Sequence, residues 1–233
     1  MSTRARVLEA LSQVHDPELD EPITSLRFVT SCEVTPDGDV EIALRLPTPQ
    51  CAPNFAYLMA ADARNAVSRL PEVRRVAVKL EDHFTGEEIN AAIARGGRFT
   101  DAFPGETEDG DLDALRELFR RKALVARESR LCEALLADGA TPEQVAARRV
   151  ADLPPIADAQ RCLELRGLLG IPHDGGAPAF VLPSGEPVAA DELKRWLRTA
   201  RLVRTSLDVN GGVCRSLLEV RRRQAPDPEE VAR

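Results

Sequence analysis

The chain has 233 residues, 43% hydrophobic and 30% charged, which suits one large or two modest globular domains and excludes disordered, collagenous and membrane-embedded classes. Aromatics make up only 4%, with one Trp and one Tyr, so the core must come from Leu, Val, Ile and Ala, and recognition by stacked bases is disfavoured. The net charge of -7 is uneven: residues 1–83 hold 9 Lys or Arg against 13 Asp or Glu, residues 84–111 hold 2 against 7, and the remainder 20 against 18.

The first residues carry Arg4 and Arg6 without a continuous apolar stretch, and no run is long enough to cross a bilayer, so a cytoplasmic protein is expected. Five cysteines, an odd number without close pairs, make no disulfide framework and suit a reducing compartment.

Val7, Leu8, Leu11 and Val14 recur at helical spacing and predict a short amphipathic helix. His15-Asp16-Pro17-Glu18 ends it, because the residue before a proline resists the helical conformation. A strand is expected around Arg27–Val34, then a turn at Pro36-Asp37-Gly38-Asp39. In the next strand Val40, Ile42, Leu44 and Leu46 alternate with Glu41, Ala43 and Arg45, completing a hairpin. Thr48-Pro49-Gln50-Cys51-Ala52-Pro53 reads as a proline-stiffened loop, with Pro53 where the first residue of a helix tolerates it. Phe55, Leu58, Met59, Ala63, Ala66, Val67 and Leu70 trace one face of a long helix, Pro71 closes it, and Val73–Leu80 returns as a strand.

Residues 1–83 therefore read as a small two-layer α/β domain of helix, β-hairpin, helix and strand. Residues 84–111 read as an acidic, Gly-rich connector with one helical turn near Glu87–Ala94. Residues 112–225 read as an all-α domain, which makes the fold class α+β. Its helices are expected to about Ala137, after Thr141-Pro142-Glu143, over Ile156–Leu169, and near Asp191–Val203 and Val213–Arg223, with Gly170–Val188 interrupting them.

Cys51 is the leading candidate for chemistry. It sits on a tight loop at the start of a helix, where unpaired backbone N–H groups and the helix dipole favour a thiolate, the form that binds iron or attacks electrophiles. The plainer alternative is a small apolar residue packed under the loop. Cys32, Cys132, Cys162 and Cys214 share strand or helix faces with Phe28, Leu135, Leu165 and Leu217 respectively and read as buried structural residues. Lys194 to Arg223 holds an excess of seven positive charges, read as a solvated face or a surface for a protein partner. Nucleic acid is not expected, since the chain is acidic overall and lacks a reading motif.

The succession of Asp16-Pro17-Glu18, a hairpin, Leu46-Pro47-Thr48-Pro49-Gln50-Cys51-Ala52-Pro53, a helix ending Leu70-Pro71-Glu72-Val73 and the strand Arg75–Leu80 resembles the metal-sulfur cluster assembly domain, which includes SufT- and PaaD-like proteins. The resemblance covers the first third of the chain. It implies a maturation role for iron or iron-sulfur proteins, with Cys51 implicated and the Asp16-Pro17-Glu18 loop nearby. Where the family commonly has Asp-Leu-Gly-Leu, this chain has Ser25-Leu26-Arg27-Phe28. The whole chain is also similar to longer variants that accompany bacterial multicomponent di-iron monooxygenases, their helical extension resembling residues 112–223, including Asp208-Val209-Asn210-Gly211-Gly212-Val213-Cys214.

Asp16, Glu18 and His83 join Cys51 as candidate metal ligands, since carboxylates and imidazole suit iron. Turn and strand-end roles are the alternatives for these three. His15 and His173 are given no role. The expectation is a non-enzymatic factor holding iron or an iron-sulfur cluster transiently for a client iron protein, a di-iron monooxygenase being the candidate client. A metal-free chaperone or adaptor is the alternative, and thiol catalysis ranks last for want of a partnered base. The oligomeric state stays open, a homodimer included.

Overall fold

The computed structural model describes residues 2–107 and 112–224, in two compact units: Met1–Ala114 with Asn210–Arg233, and Leu115–Val209. The class is α+β, with the sheet early and a mostly helical remainder.

The first unit opens with α1 (Thr3–Leu11), capped by the Ser2 hydroxyl and burying Val7 and Leu11. β1 (Val29–Val34) and β2 (Asp39–Arg45) form the antiparallel hairpin. Its turn requires Gly38, at φ +83°, because a Cβ there would lie 2.5 Å from the Glu72 carbonyl oxygen. α2 (Pro53–Ser68), with proline in its first turn, crosses back to β3 (Arg75–Glu81), which pairs parallel with β2. A parallel pair needs such a crossover, and α2 supplies it while packing against β3 and α1. Ile42, Leu44, Leu58, Ala63, Val67 and Leu80 fill the space between sheet and helix. Ala43 is buried too, as befits the central strand of a three-stranded sheet.

The stretch predicted as a connector carries α3 (Gly86–Ala94) and α4 (Phe99–Ala102), while its residues 108–111 lie outside the described residues. α3 buries Ile89, Ala92 and Ile93. Its Asn90 side chain accepts from Leu80 N–H at 2.7 Å and donates to Leu80 O at 3.0 Å, so one amide imitates a strand partner at the sheet edge.

In the second unit α5 (Asp113–Ala137) from Leu115 onward, α6 (Pro142–Ala147), α7 (Ala157–Leu169) and the first part of α8 (Leu193–Gln224) enclose Leu124, Leu131, Val145, Leu165, Phe180 and Trp196. A fully buried ion pair, Glu128 with Arg166, lies inside it. α8 corrects the expectation of two C-terminal helices. It runs unbroken through Gly211 and Gly212, each of which costs a helix about 1 kcal/mol relative to Ala. Asn210 just before the glycines and Arg215 and Arg221 after them are bonded to residues of the first unit.

Candidate functional site

Two loops of the first unit meet at Cys51, and a third, Asp16–Glu21, is tied to the tail of α8. The loop before α2 is a turn closed by Cys51 N–H donating to Thr48 O at 3.3 Å, and the Cys51 sulfur lies 3.5 Å from the Thr48 hydroxyl. Cys51 is partly exposed and immediately precedes Ala52, the residue that caps α2 without a side-chain hydrogen bond. The loop after β3 reaches across to it. His83 donates from Nε2 to Cys51 O at 2.8 Å, and Phe84 N–H donates to Pro49 O at 3.0 Å. Asp82, at φ +49°, holds the left-handed backbone that non-glycine residues adopt only under constraint. A groove of about 470 Å³ beside this junction is lined by Arg45, Pro49, Glu81, His83, Phe84 and Glu87. Phe84 is 73% exposed at its edge, which is unusual for a large aromatic.

The third loop, Asp16–Glu21, is organised by Asp16. Its Oδ1 accepts the Glu18 and Leu19 N–H groups at 2.8 and 2.9 Å, and its main chain exchanges hydrogen bonds with Asp20 and Glu21. Burial pushes the Asp16 carboxyl up from its ordinary 3.8 to about 6, against the two amide donors and with help from Glu18 and Glu21. Carboxylates kept reluctant to ionise collect at functional sites, although turn architecture alone also uses this residue type.

The tail of α8 belongs to the same unit and lies on these loops. Asn210 donates to Glu18 at 2.8 Å, Arg215 pairs with Glu21, and Arg221 donates to the Leu46 carbonyl and pairs with Asp82. Burial and the neighbouring Arg45 pull the Arg221 guanidinium below its ordinary value, with Cys51 acting the other way. Cys214, expected as a core residue, is instead partly exposed. Burial raises its thiol, as do Asp16, Glu18 and Cys51, so all three lie within electrostatic reach of it.

The structure thus sets Cys51 beside His83 through the Cys51 main chain rather than through its sulfur. Asp16 and Glu18 share one turn, with Glu18 held by Asn210. Among the described residues no three His, Cys, Asp or Glu side chains are arranged to enclose a metal ion. A partly exposed thiol can still take a soft metal as one of its ligands. Cys32, Cys132 and Cys162 are buried, and desolvation raises each thiol, that of Cys132 to about 12. Sequence reasoning did not bring Asn210, Arg215 and Arg221 to these loops, since contacts so distant along the chain leave no mark in local periodicity. Among the described residues no helix is long and apolar enough to cross a membrane.

Residues 4–80 match a family model described as iron-sulfur cluster assembly protein. That span contains Asp16, Glu18 and Cys51, whereas His83 and Cys214 fall outside it. The chain is 34% identical over 93 residues to the uncharacterized protein MJ1129 of Methanocaldococcus jannaschii, an alignment covering 40% of this chain and 96% of that protein. No solved structure gives a significant match.

Proposed function

We propose, from the premise that the chain belongs through residues 4–80 to the iron-sulfur cluster assembly protein family, that Cys51 takes up iron or an iron-sulfur cluster as cargo and passes it to a client iron protein. A general role in cluster assembly or maturation comes with the family. The observation that carries the finer reading is the thiol of Cys51, partly exposed at the N-terminus of α2 and beside a hydroxyl, on a loop tied down through His83 and Phe84. A soft thiolate suits iron, and a single thiol binds loosely enough to release it. In this reading the protein turns over no substrate, works in the cytoplasm, and serves a client of the di-iron monooxygenase class.

Anaerobic loading with ferrous iron and sulfide tests it. The parent protein should bind iron and gain visible absorbance, and Cys51→Ser should lose both. Equal iron content in the variant would remove Cys51 from the site.

A metal-free adaptor is the second reading, favoured by Phe84, which stands exposed beside the groove as an anchor for a partner would. It requires a client complex that survives chelators and Cys51→Ser but weakens in Phe84→Ala. Pull-downs of the client with each variant, with and without chelator, separate the two readings.

A further inference from the structure

We propose that Arg221, on the tail of α8, is a positioning residue for Cys51: one guanidinium fastens the bases of the two loops that meet at the thiol. This rests on the reading of Cys51 as the cargo-holding residue and goes beyond the matched span, which ends at residue 80. Nη1 of Arg221 donates to the Leu46 carbonyl, where the chain leaves β2 for the Cys51 loop. Nη2 pairs with the Asp82 carboxylate, where the chain leaves β3. Farther out, the same two loops are joined by His83 Nε2–H to Cys51 O at 2.8 Å and by Phe84 N–H to Pro49 O at 3.0 Å. Arg221 thus adds a tie at the base of the junction, from a position 175 residues away from Leu46 and 139 from Asp82 in sequence.

The tie differs from an ordinary surface ion pair. The Asp82 side chain is 61% exposed, and such a carboxylate alone would contribute little. The guanidinium is only 18% exposed, and its other terminal nitrogen makes a charge-assisted hydrogen bond to a main-chain carbonyl of the second loop. A planar fork fixes the spacing of its two acceptors, which a single ammonium cannot do. Asp82 also needs holding, since its left-handed backbone, φ +49°, is costly for a residue with a Cβ. A thiol that takes up cargo benefits from a loop whose geometry is set beforehand, because binding then need not order it. The other anchors of the tail serve elsewhere. Asn210 and Arg215 bond Glu18 and Glu21 on the Asp16–Glu21 loop, so they hold the tail without bridging the junction.

The rate at which iodoacetamide alkylates Cys51 tests the tie, in a full-length Cys214→Ser parent whose other cysteines are buried. Arg221→Ala, Arg221→Lys and Arg215→Ala are compared in that parent, and circular dichroism verifies the fold of each. Arg221→Ala should loosen the loop and raise the rate several-fold. Arg221→Lys should do nearly the same, because it restores the charge without the fork, and Arg215→Ala should match the parent. Guanidinium chloride at low millimolar concentration, far below denaturing strength, should slow Arg221→Ala again, whereas sodium chloride at the same concentration should not. A parental rate in Arg221→Ala overturns the proposal. So does a parental rate in Arg221→Lys, which assigns the effect to charge, or an equal rise in Arg215→Ala, which assigns it to docking of the tail as a whole. Iron content after anaerobic loading with ferrous iron and sulfide keeps the two readings apart. Less iron in Arg221→Ala than in its parent supports the positioning role, and full parental iron in Cys51→Ser overturns the cargo reading alone.

Discussion

His83 donates its Nε2–H to the carbonyl oxygen of Cys51 at 2.8 Å while its Nδ1 accepts the Thr85 N–H at 3.3 Å, so one tautomer, protonated on Nε2, joins the two loops. His83→Ala removes both bonds and should cost about 1–2 kcal/mol. It should also free the Cys51 turn and raise the iodoacetamide alkylation rate of Cys51 several-fold, read in a Cys214→Ser background. Gln, which keeps an amide donor, should restore much of the slow rate. An unchanged rate in His83→Ala would assign the loop's order to the Phe84–Pro49 bond instead.

Asp16 gives the first unit a pH signature. Its folded-state value of about 6 exceeds the ordinary 3.8, so the folded chain binds the proton more tightly. The contribution to stability is therefore full below about 4, declines as pH rises through about 6, and is lost above. Glu18 and Glu21 face the same carboxyl and keep the field negative. Asp16→Asn retains an oxygen for the Glu18 and Leu19 amides without the charge. It should gain on the order of 1–3 kcal/mol at pH 7 and little at pH 4. Hydrogen exchange of the β2 amides at both pH values measures this, and parallel slopes for parent and variant would contradict it.

Arg27 holds the left-handed backbone, φ +54°, that glycine adopts freely. Arg27 N–H donates to Thr24 O and Phe28 N–H to Ile23 O, so the tight turn is kept despite the side chain. Arg27→Gly should relieve the strain and stabilise the first unit by about 0.5–1 kcal/mol. A lowered urea midpoint for exchange of the β1 amides would show that the Arg27 side chain contributes more than its backbone costs.

The hairpin and β3 were legible because Val40, Ile42 and Leu44, and then Val76, Val78 and Leu80, alternate with polar or small residues, and the alternation fixes the inner face. Pro53 marked the start of α2 equally well. α3 was read only as a turn, since the glycines and acidic residues around it outweighed the short apolar pattern of Ile89, Ala92 and Ile93. The loop-to-loop bonds of Cys51 and Pro49 with His83 and Phe84 join residues more than 30 positions apart, which periodicity does not encode. Cys214 was assigned to a core because its neighbours Leu217 and Leu218 suggested one. Leu218 is buried, but Cys214 faces acidic loops.

The Glu128–Arg166 pair was equally hidden in the sequence, and its role follows from what Arg166 touches. The guanidinium donates to both Glu128 Oε1 and the carbonyls of Pro178 and Ala179, while Glu128 Oε2 accepts the Val181 N–H at 3.1 Å. Burial pushes the Glu128 carboxyl up and Arg166 opposes it. The segment around Pro178–Val181 has only isolated bridges, so this pair satisfies main-chain groups that a sheet would otherwise serve. Glu128→Ala should cost about 3–5 kcal/mol, because it strands a buried guanidinium. Glu128→Leu with Arg166→Met should cost less than the sum of the two single changes, though not nothing, since the carbonyls lose their donor. Trp196, the chain's one tryptophan, packs 6.4 Å from Phe180 in this core, so its fluorescence in urea reports the unit directly. Additive single-variant costs would mean that Glu128 and Arg166 act independently.

Gly212 offers a test of the α8 tail that leaves every candidate ligand in place. A Cβ built there meets nothing within 4 Å, whereas one on Gly211 lies 3.0 Å from the Arg215 guanidinium that holds Glu21. Gly212→Ala should therefore strengthen the helix locally by about 1 kcal/mol and slow amide exchange across residues 208–218. Gly211→Ala gains the same propensity but must shift the Arg215 clasp, so its exchange should slow less. If both variants behave alike, the Arg215–Glu21 contact does not hold the tail. If Gly212→Ala leaves exchange unchanged, the continuous helix owes its order to the flanking anchors at Asn210 and Arg221 rather than to backbone preference.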